Sequence, residues 1–339
     1  MTDTFLQEQW YAAALSNEVT AEAPFGRTIC GEDIVFFRSP EGELRALEDR
    51  CAHRYAPLSL GTVENGRLRC QYHGMLFDHT GQCIEVPGQD KAPEAAKIKR
   101  YPVADSDGWV WIWIGRGEPK PASEIPSLPY FDSVEWSGFQ KYFHVKGAAQ
   151  LFVDNLLDLS HLAFTHKESI GSASSKDAPP EMEFTVEGNM VRGRRYIYGV
   201  EPGPFIVGWG GFSGLIDRCS DYIWWPPSVL EIESKFSDPA TKITIKVINP
   251  ITPETETTSH FWMGWARDFR LDEDGLTEQA IVENTQVVME DVEMIEAQQR
   301  VITARGGLEP IPIQADRALM AVRTILKRLH EENNRQAAQ

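Results

Sequence analysis

Residues 51–54 read Cys-Ala-His-Arg and residues 70–74 read Cys-Gln-Tyr-His-Gly, and these two stretches indicate a metal site in the first quarter of the chain. Each stretch pairs one cysteine with one histidine, Cys51 with His53 and Cys70 with His73. Two thiolates and two imidazoles suit a 2Fe–2S centre in which the cysteines hold one iron and the histidines hold the other. Imidazole in place of thiolate raises the reduction potential, so such a centre accepts electrons readily. A second redox site must then receive these electrons.

A Cys2His2 zinc site offers the same ligand types and is the main alternative. Zinc fingers normally group two cysteines in one short motif and two histidines in the other, whereas each motif here mixes the two. The residues that flank the ligands also resemble the two cluster-binding loops of Rieske proteins. Spacing and resemblance together favour the 2Fe–2S cluster over zinc.

The chain has 339 residues, a formal charge of −17 and five cysteines. These values limit the number of domains, the kinds of binding partner and the cellular compartment that are expected. The length allows two domains with real cores. Cys30, Cys83 and Cys219 lie outside the motifs and lack a disulfide spacing, which favours a reducing compartment. The start of the chain lacks a basic signal-peptide region, and no stretch supplies the ~20 apolar residues that span a bilayer. We therefore expect a soluble, cytoplasmic protein that contacts neither membrane nor nucleic acid, whose phosphates demand a basic surface.

Two domains are expected, one over residues 1–118 and one over residues 119–339. The first is β-rich, because short runs of β-forming residues alternate with turn residues. Residues 109–114 read Trp-Val-Trp-Ile-Trp-Ile between two glycines, which predicts a strand buried on both faces. A proline-rich linker follows at residues 117–129. The second domain is expected to contain a helix near 150–165, strands between about 182 and 265, and helices at roughly 276–303 and 313–337.

A second candidate metal site lies in residues 154–166, which read Asp-Asn-Leu-Leu-Asp-Leu-Ser-His-Leu-Ala-Phe-Thr-His. In a helix Asp154, Asp158 and His161 would share one face, and buried acids and histidines need a partner such as a metal ion. His166 lies five residues after His161, so we expect the helix to end or bulge between them. Two histidines and one carboxylate, with positions left open, form the ligand set of non-haem Fe(II) oxygenases.

The carboxylate ligand is expected from the long helix predicted near the C-terminus. Helical periodicity places Asp291 at the margin of the apolar stripe of that helix, whereas Glu290 and Glu293 fall on other faces. A surface acid or a helix-capping partner is the alternative interpretation of Asp291. Beside His161 and His166, Asp291 is the predicted third ligand.

Across nearly its whole length the chain resembles the oxygenase components of Rieske non-haem iron oxygenases, in particular the aromatic O-demethylase subgroup. The resemblance rests on Trp-Tyr-Ala-Ala-Ala-Leu at residues 10–15, on the two Cys/His stretches, and on the order Asn155-x-x-Asp158-x-x-His161-x4-His166. It implies an α+β fold in which an N-terminal antiparallel β-sandwich precedes a helix-grip catalytic domain of antiparallel sheet and helices. Each subunit would carry one 2Fe–2S Rieske cluster and one mononuclear Fe(II).

The same resemblance implies a role for each candidate residue. The cluster ligands would be Cys51, His53, Cys70 and His73, and the iron ligands would be His161, His166 and Asp291. Asp158 would link a cluster histidine of one subunit to His161 of the next in a head-to-tail homotrimer, and Asn155 would lie beside the iron. The implied partners are a small aromatic substrate, O2, and an NAD(P)H-dependent reductase that contains flavin and a ferredoxin-type 2Fe–2S cluster.

The implied reaction is O-demethylation of a methoxy-aromatic acid with release of formaldehyde, while the substrate itself is left open. The chain departs from the family pattern at residues 143–150, 209–213 and 223–227. His260 is the candidate substrate-binding histidine, and a core histidine on a strand is the alternative. N-demethylation, methyl hydroxylation and ring dihydroxylation are alternatives within the family. A Rieske electron carrier is the non-enzyme alternative, but it would leave His161 and His166 unexplained.

Overall fold

The structure, a computed structural model, describes residues 4–172, 180–306 and 310–337. It contains two compact units, residues 3–127 with 252–255, and residues 128–251 with 256–339. The expected boundary at residues 118 and 119 lies shortly before this division and stays a prediction. In the described part of the chain, no helix is long and apolar enough to cross a membrane.

The first unit consists of three antiparallel sheets, as the sequence predicts for a β-rich domain. Its strands are β1 (Gln9–Leu15), β2 (Phe25–Ile29), β3 (Glu32–Arg38), β4 (Leu44–Glu48), β5 (Thr62–Val63), β6 (Leu68–Arg69), β7 (Leu76–Phe77), β8 (Cys83–Glu85), β9 (Arg100–Tyr101), β10 (Val103–Ser106) and β11 (Trp109–Ile114). The strand orders are β1-β11-β10, β2-β3-β4-β9 and β5-β6-β7-β8.

Strand β11 is central to its sheet, and all six of its residues are buried. Val110, Ile112 and Ile114 join one apolar core together with residues of β1 to β4. Because both faces of β11 are covered, the strand needs no alternation of apolar and polar side chains. The prediction of a strand buried on both faces is confirmed.

A second apolar core lies beneath the sheet formed by β5 to β8. Cys51 and Cys70 belong to it, together with Leu58, Met75 and Phe77. Cys51 follows β4 in the chain, and Cys70 follows β6 directly. The two cysteines are therefore fixed by packing at the base of their loops.

The described residues of the second unit form one seven-stranded sheet and four α-helices. Its elements are β12 (Ser137–Val145), α1 (Ala149–Leu157), β13 (Glu181–Glu187), β14 (Met190–Val200), α2 (Pro204–Gly210), β15 (Ile216–Trp225), β16 (Val229–Ser237), β17 (Lys242–Pro253), β18 (Ser259–Arg267), α3 (Asp274–Arg305) and α4 (Arg317–Ala337). The strand order is β12-β18-β17-β16-β15-β14-β13. The expected α+β class, with an antiparallel sheet and helices in the second domain, is confirmed.

Helix α1 is shorter than the sequence predicts. It ends at Leu157 because Asp158 takes a non-helical backbone conformation (φ −110°, ψ 92°), and its carboxylate accepts a hydrogen bond from the amide of Ser160. A short 3₁₀ turn over residues 159–163 follows. Asp154 instead pairs with Arg323 of α4. The expectation that Asp154, Asp158 and His161 share one helical face is therefore wrong, since a short acidic side chain at this position starts a new turn.

Helix α3 is the longest helix of the second unit and buries one face. Its 32 residues run through Asp291, which lies on the buried face together with Asn284, Val288 and Ile295. The helix ends where Gly306 adopts a left-handed conformation (φ 73°), which glycine accepts without steric cost. The predicted inward orientation of Asp291 agrees with this burial.

Candidate active site

The two Cys/His loops share one backbone hydrogen-bond pattern. In each loop the amide of the cysteine donates to the carbonyl five residues later, and the amide four residues later donates back to the cysteine carbonyl, with N···O distances of 2.8 to 3.0 Å. The residue at that fourth position, Tyr55 in one loop and Gly74 in the other, has a positive φ. Both loops therefore turn in the same way, and they present their cysteines and histidines as two matching pairs.

The side chains of the two loops divide into a buried pair and an exposed pair. Cys51 and Cys70 are buried and form no disulfide. Burial is the main cause that raises the pKa of the Cys51 thiol, and a hydrogen bond with Cys70 adds to it. The rings of His53 and His73 are exposed, with centroids 4.6 Å apart. This arrangement fits a cluster whose cysteine-bound iron is buried and whose histidine-bound iron lies at the surface.

Three large apolar side chains are exposed in or near the two loops that carry the histidine pair. Tyr55 is 69% exposed, Leu60 is 66% exposed and Tyr72 is 60% exposed. The ring centroid of Tyr72 lies 3.9 Å from that of His73. An apolar surface of this kind around a redox centre is typical of a protein–protein contact.

In the second unit, the side chains of His161, His166 and Asp291 converge. The Nε2 atom of His166 lies 3.1 Å from Oδ1 of Asp291, and Nε2 of His161 lies 3.6 Å from the same oxygen. The ligand atoms of the three residues all lie within 4.8 Å of one another, and no other such group occurs among the described residues. His166 and Asp291 are buried. The three predicted iron ligands are thus brought together with the geometry of a metal site.

Each histidine uses its other ring nitrogen to fix its orientation. Nδ1 of His161 donates to the backbone carbonyl of Asp158 at 2.6 Å, and Nδ1 of His166 lies 2.6 Å from Oε2 of Glu290. Both Nε2 atoms are therefore left to face Asp291. Metal-binding histidines are commonly held in this way by a carbonyl or a carboxylate.

Sequence reasoning missed Glu290. It was expected on a face of α3 away from the site, but its carboxylate contacts His166 and accepts a hydrogen bond from Ser169 Oγ at 2.8 Å. Consecutive residues of a helix are separated by ~100°, so Glu290 and Asp291 can contact the two nitrogens of one histidine. The available signal was that Glu290 directly precedes Asp291 in the sequence.

Asn155 of α1 contacts the third ligand. Its Nδ2 donates to Oδ1 of Asp291 at 3.0 Å, so it is placed where the resemblance implies. Its Oδ1 is buried and has no hydrogen-bond partner. A buried amide oxygen of this kind needs a further polar group or a water to complete the site.

The protonation of the two histidines depends on their surroundings. Burial lowers the pKa of His161, which favours the neutral imidazole that binds metals. Burial acts in the same direction on His166, but hydrogen bonds to Asp291 and Glu290 outweigh it and raise the pKa of His166. A metal ion would replace the proton between His166 and Asp291.

A pocket opens beside the three candidate ligands. The sheet and helices α1 and α3 supply its walls, and His161, His166 and Asp291 lie at one end. Its apolar wall includes Phe152, Leu156, Ile232, Phe261, Met263 and Val288. A largely apolar pocket with a few polar groups is typical of a binding site for a small organic molecule.

His260 lies outside that pocket. Phe261 and Met263 line it, and successive side chains of a strand point to opposite faces, so His260 of β18 faces away. Its Nδ1 lies 2.8 Å from the hydroxyl of Tyr142, and the ring is buried. The prediction that His260 binds substrate gains no support from this geometry, which instead fits the alternative of a core histidine.

Two family descriptions match the chain. A Rieske [2Fe-2S] domain matches residues 9–102, and a vanillate O-demethylase oxygenase C-terminal domain matches residues 145–332. The first match contains all four candidate cluster ligands, and the second contains His161, His166 and Asp291.

Similar proteins of known activity match the chain over nearly their full length. The toluene-4-sulfonate monooxygenase iron-sulfur subunit of Comamonas testosteroni is 36% identical, with 97% of this chain and 98% of the relative covered. The vanillate O-demethylase oxygenase subunit of a Pseudomonas species is 34% identical, with 96% and 95% covered. Dicamba monooxygenase bound to dicamba has a similar crystal structure, with a TM-score of 0.88, 29% identity, and 99% and 100% of the two chains covered. Another crystal structure of that enzyme contains non-haem iron.

Proposed function

The chain belongs to the Rieske non-haem iron oxygenases, and from that premise we propose that it removes the methyl group of a small methoxy-aromatic acid as formaldehyde. As a member of this family it is a monooxygenase component whose cofactors are a Rieske 2Fe–2S cluster and a mononuclear non-haem iron. The observation that carries the proposal is the convergence of His161, His166 and Asp291 at the end of an apolar pocket.

We assign the cofactor ligands from the geometry of the two sites. Cys51, His53, Cys70 and His73 would hold the cluster, and His161, His166 and Asp291 would hold the iron. Glu290 and the carbonyl of Asp158 orient the two iron-binding histidines. Asn155 holds the Asp291 carboxylate by its amide and keeps one carboxylate oxygen in place.

The proposed reaction consumes one O2, two electrons and two protons for each methyl ether. Bound iron would supply the activation of O2, with electrons that arrive through the cluster. Hydroxylation of the methyl carbon gives a hemiacetal, which collapses to a phenol and formaldehyde, and the second oxygen atom leaves as water. The apolar walls of the pocket, Phe152 and Phe261 among them, pack against the aromatic ring and exclude bulk water.

We also propose the finer features that the family resemblance implies. A reductase with flavin and a ferredoxin-type 2Fe–2S cluster would pass electrons from NAD(P)H to this chain. The chain would form a homotrimer in which the cluster histidines of one subunit face Asp158 of the next. The exposed Tyr72, whose ring lies against that of His73, and the exposed Tyr55 of the other loop support such a contact. Cys30, Cys83 and Cys219, which form no disulfide, support a cytoplasmic location.

Two measurements test the proposed function. Iron content should be about three atoms per subunit, because a cluster and a mononuclear site are both present. With a competent reductase, NADH-dependent O2 uptake and formaldehyde release should be measured across methoxy- and methylamino-aromatic acids. We expect formaldehyde in proportion to O2 from the methoxy acids. Two irons per subunit after Fe(II) reconstitution, without substrate-dependent O2 uptake, would instead indicate an electron carrier.

A second candidate function is monooxygenation of an aromatic sulfonate. The toluene-4-sulfonate monooxygenase subunits favour it, since they match the chain at 35% and 36% identity over almost its whole length. The same assay with toluene-4-sulfonate distinguishes the two candidates. O2 uptake with an oxidised sulfonate product, and no formaldehyde from any methoxy acid, would favour the sulfonate.

A further inference from the structure

A positively charged side chain enters the otherwise apolar part of the iron pocket. Arg218 of β15 lines the pocket and is the only arginine or lysine among its described lining residues. Its Nη1 donates to the carbonyl of Ile170 at 3.2 Å, and its guanidinium lies 5.2 Å from the ring centroid of Phe236. Its Nε atom is buried and has no hydrogen-bond partner. Within the described part of the chain, no carboxylate forms an ion pair with Arg218.

Arg218 is half-buried, and a buried arginine lies next to it on the same face of the sheet. Arg195 of β14 pairs with Ser220, and Arg218 pairs with Ile197, so the two arginines are diagonal neighbours. Arg195 is only 8% exposed, and it too has no ion-pair partner among the described residues. The two arginines line the same small cavity beside the iron pocket. Asp158 is near enough to act on Arg195 electrostatically, but not on Arg218.

This arrangement is costly unless an anion completes it. Burial lowers the pKa of Arg218 to about 9, and the charge of Arg195 adds to the effect, so the guanidinium still carries its charge at neutral pH. Buried charges are normally paired, because burial without a counter-charge loses hydration that nothing replaces. The chain has 50 acidic residues against 33 lysines and arginines, yet none of the described acids pairs with Arg218. Glu201 lines the small cavity with both arginines but forms no ion pair with Arg218, so among the described residues the counter-charge of Arg218 is left for a molecule that enters the pocket.

We propose that Arg218 binds the acid group of the aromatic substrate, a carboxylate or a sulfonate, and that Arg195 strengthens the positive potential behind it. The proposal rests on the proposed function and defines its substrate class. A planar guanidinium offers two parallel N–H donors, which match the two oxygens of a carboxylate or sulfonate. With the acid group held at Arg218, the aromatic ring lies in the apolar part of the pocket, and the group to be oxidised lies toward His161 and His166.

The first test compares an acid with a neutral compound of the same shape. Binding of vanillate, vanillyl alcohol and toluene-4-sulfonate to the intact oxygenase would be measured by titration calorimetry without reductase. A charge-assisted hydrogen bond contributes about tenfold or more in affinity, so vanillate should bind at least about tenfold more tightly than vanillyl alcohol. Equal affinity for the acid and the alcohol would overturn the proposal, as would failure of both anions to bind at millimolar concentration.

The second test removes the charge. In Arg218→Gln, vanillate and toluene-4-sulfonate should each bind at least about tenfold more weakly, while vanillyl alcohol changes by less than about twofold. Equal weakening of all three ligands would indicate that Arg218 only shapes the pocket and would refute the proposal. The control is Arg194→Gln, which makes the same charge change on the opposite face of β14, where Arg194 pairs with Asp221 at the surface. It should leave all three affinities unchanged.

If Arg218→Gln fails to fold, Arg218→Lys provides a second test of the proposed contact. Lysine keeps the charge but loses the paired donors, so vanillate should bind severalfold more weakly and vanillyl alcohol should be unaffected. Unchanged vanillate affinity in this variant would count against the proposed contact.

Assays of the wild-type protein test the anion site at Arg218 and the O-demethylation reaction independently. Formaldehyde from vanillyl alcohol and vanillate at equal kcat/KM would leave O-demethylation standing and refute the anion site. Binding of toluene-4-sulfonate that depends on Arg218, without formaldehyde from any methoxy compound, would support the anion site and refute O-demethylation.

Discussion

The proposed iron site depends on contacts between single residues that are far apart in the chain. His166 contacts Asp291 through one ring nitrogen and Glu290 through the other, across more than 120 positions. Asn155 holds the same aspartate from a third direction. These contacts orient the three proposed ligands before a metal ion binds. Hydrogen bonds to metal ligands commonly raise metal affinity in this way.

Asp291→Ala should deplete the mononuclear iron. The carboxylate is one of the three proposed protein ligands, so its loss should reduce iron content from about three toward two atoms per subunit and remove oxygenase activity. The visible spectrum of the Rieske cluster should be unchanged, because its ligands lie in the other unit. Glu293→Ala, an exposed acid of the same helix, is the matched control. Retained iron with normal turnover in Asp291→Ala would refute the assignment.

Glu290→Gln should weaken iron binding without removing a ligand. The amide keeps the size of the side chain but loses the charge that orients His166 and makes it more basic. Loss of such an outer contact typically costs 10- to 100-fold in metal affinity. Fe(II) titration of the iron-depleted protein measures this, and Glu293→Gln provides the control. Iron affinity within twofold of wild type would mean that Ser169 and packing alone orient His166.

At the scale of elements, the ends of helices and strands position the chemistry. Helix α1 stops at Leu157, and the turn that follows brings His161 and His166 to the same point, although five positions separate them. Cys51 and Cys70 lie in two loops with the same hydrogen-bond pattern, which the sheet of β5 to β8 supports. The proposed cluster ligands and the two histidines of the proposed iron site therefore lie in loops and turns, whereas Asp291 lies within helix α3.

Gly74→Ala should disturb the second cluster loop. Gly74 has a φ of 73°, and a Cβ atom there would lie 2.8 Å from Cγ of Pro87. The left-handed conformation costs an alanine about 1–2 kcal/mol, and the overlap adds about 1–3 kcal/mol. We expect a lower Tm and less cluster absorbance per subunit.

Gly42→Ala is the control for that substitution, because Gly42 has a φ of 87° but no atom within 4 Å of an added Cβ. It should lose only about 1–2 kcal/mol of stability and keep a full cluster. Equal cluster occupancy in the two variants would show that the contact with Pro87 relaxes without effect on the loop.

At the scale of the whole molecule, Asp158→Asn tests whether electrons cross a subunit interface. Asparagine can still accept the hydrogen bond from Ser160, and the backbone carbonyl that orients His161 is unchanged. Both metal sites should therefore stay filled, while product formation coupled to O2 uptake should fall by at least about 100-fold, since the proposed link to the neighbouring subunit loses its carboxylate.

The readouts for Asp158→Asn are iron content, sedimentation velocity and the rate at which the mononuclear site oxidises a pre-reduced cluster in single turnover. A trimer with full iron and slow electron transfer is the expected result. Loss of mononuclear iron would instead make Asp158 a ligand, and normal turnover would remove it from the electron path.

Local sequence patterns were enough to predict both cofactors and the α+β fold. Cys51, His53, Cys70 and His73 are close in the chain, so their spacing and flanking residues predict the cluster, and the apolar run of β11 predicts a strand buried on both faces. Periodicity also selected Asp291, because one helix fixes which of its residues face inward. These features depend on local geometry, which the sequence specifies directly.

The side chains that surround the proposed iron site and its pocket could be identified only from the folded chain. It ended α1 at Leu157, brought Glu290 to His166, turned His260 away from the pocket and brought Arg218 into it. Each of these depends on packing between elements that are distant in sequence, and periodicity within one element carries no information about its neighbours. The metal-ligand motifs could therefore be predicted from the sequence. Arg218, the proposed substrate-binding group, could be identified only from the pocket that the sheet and helices form.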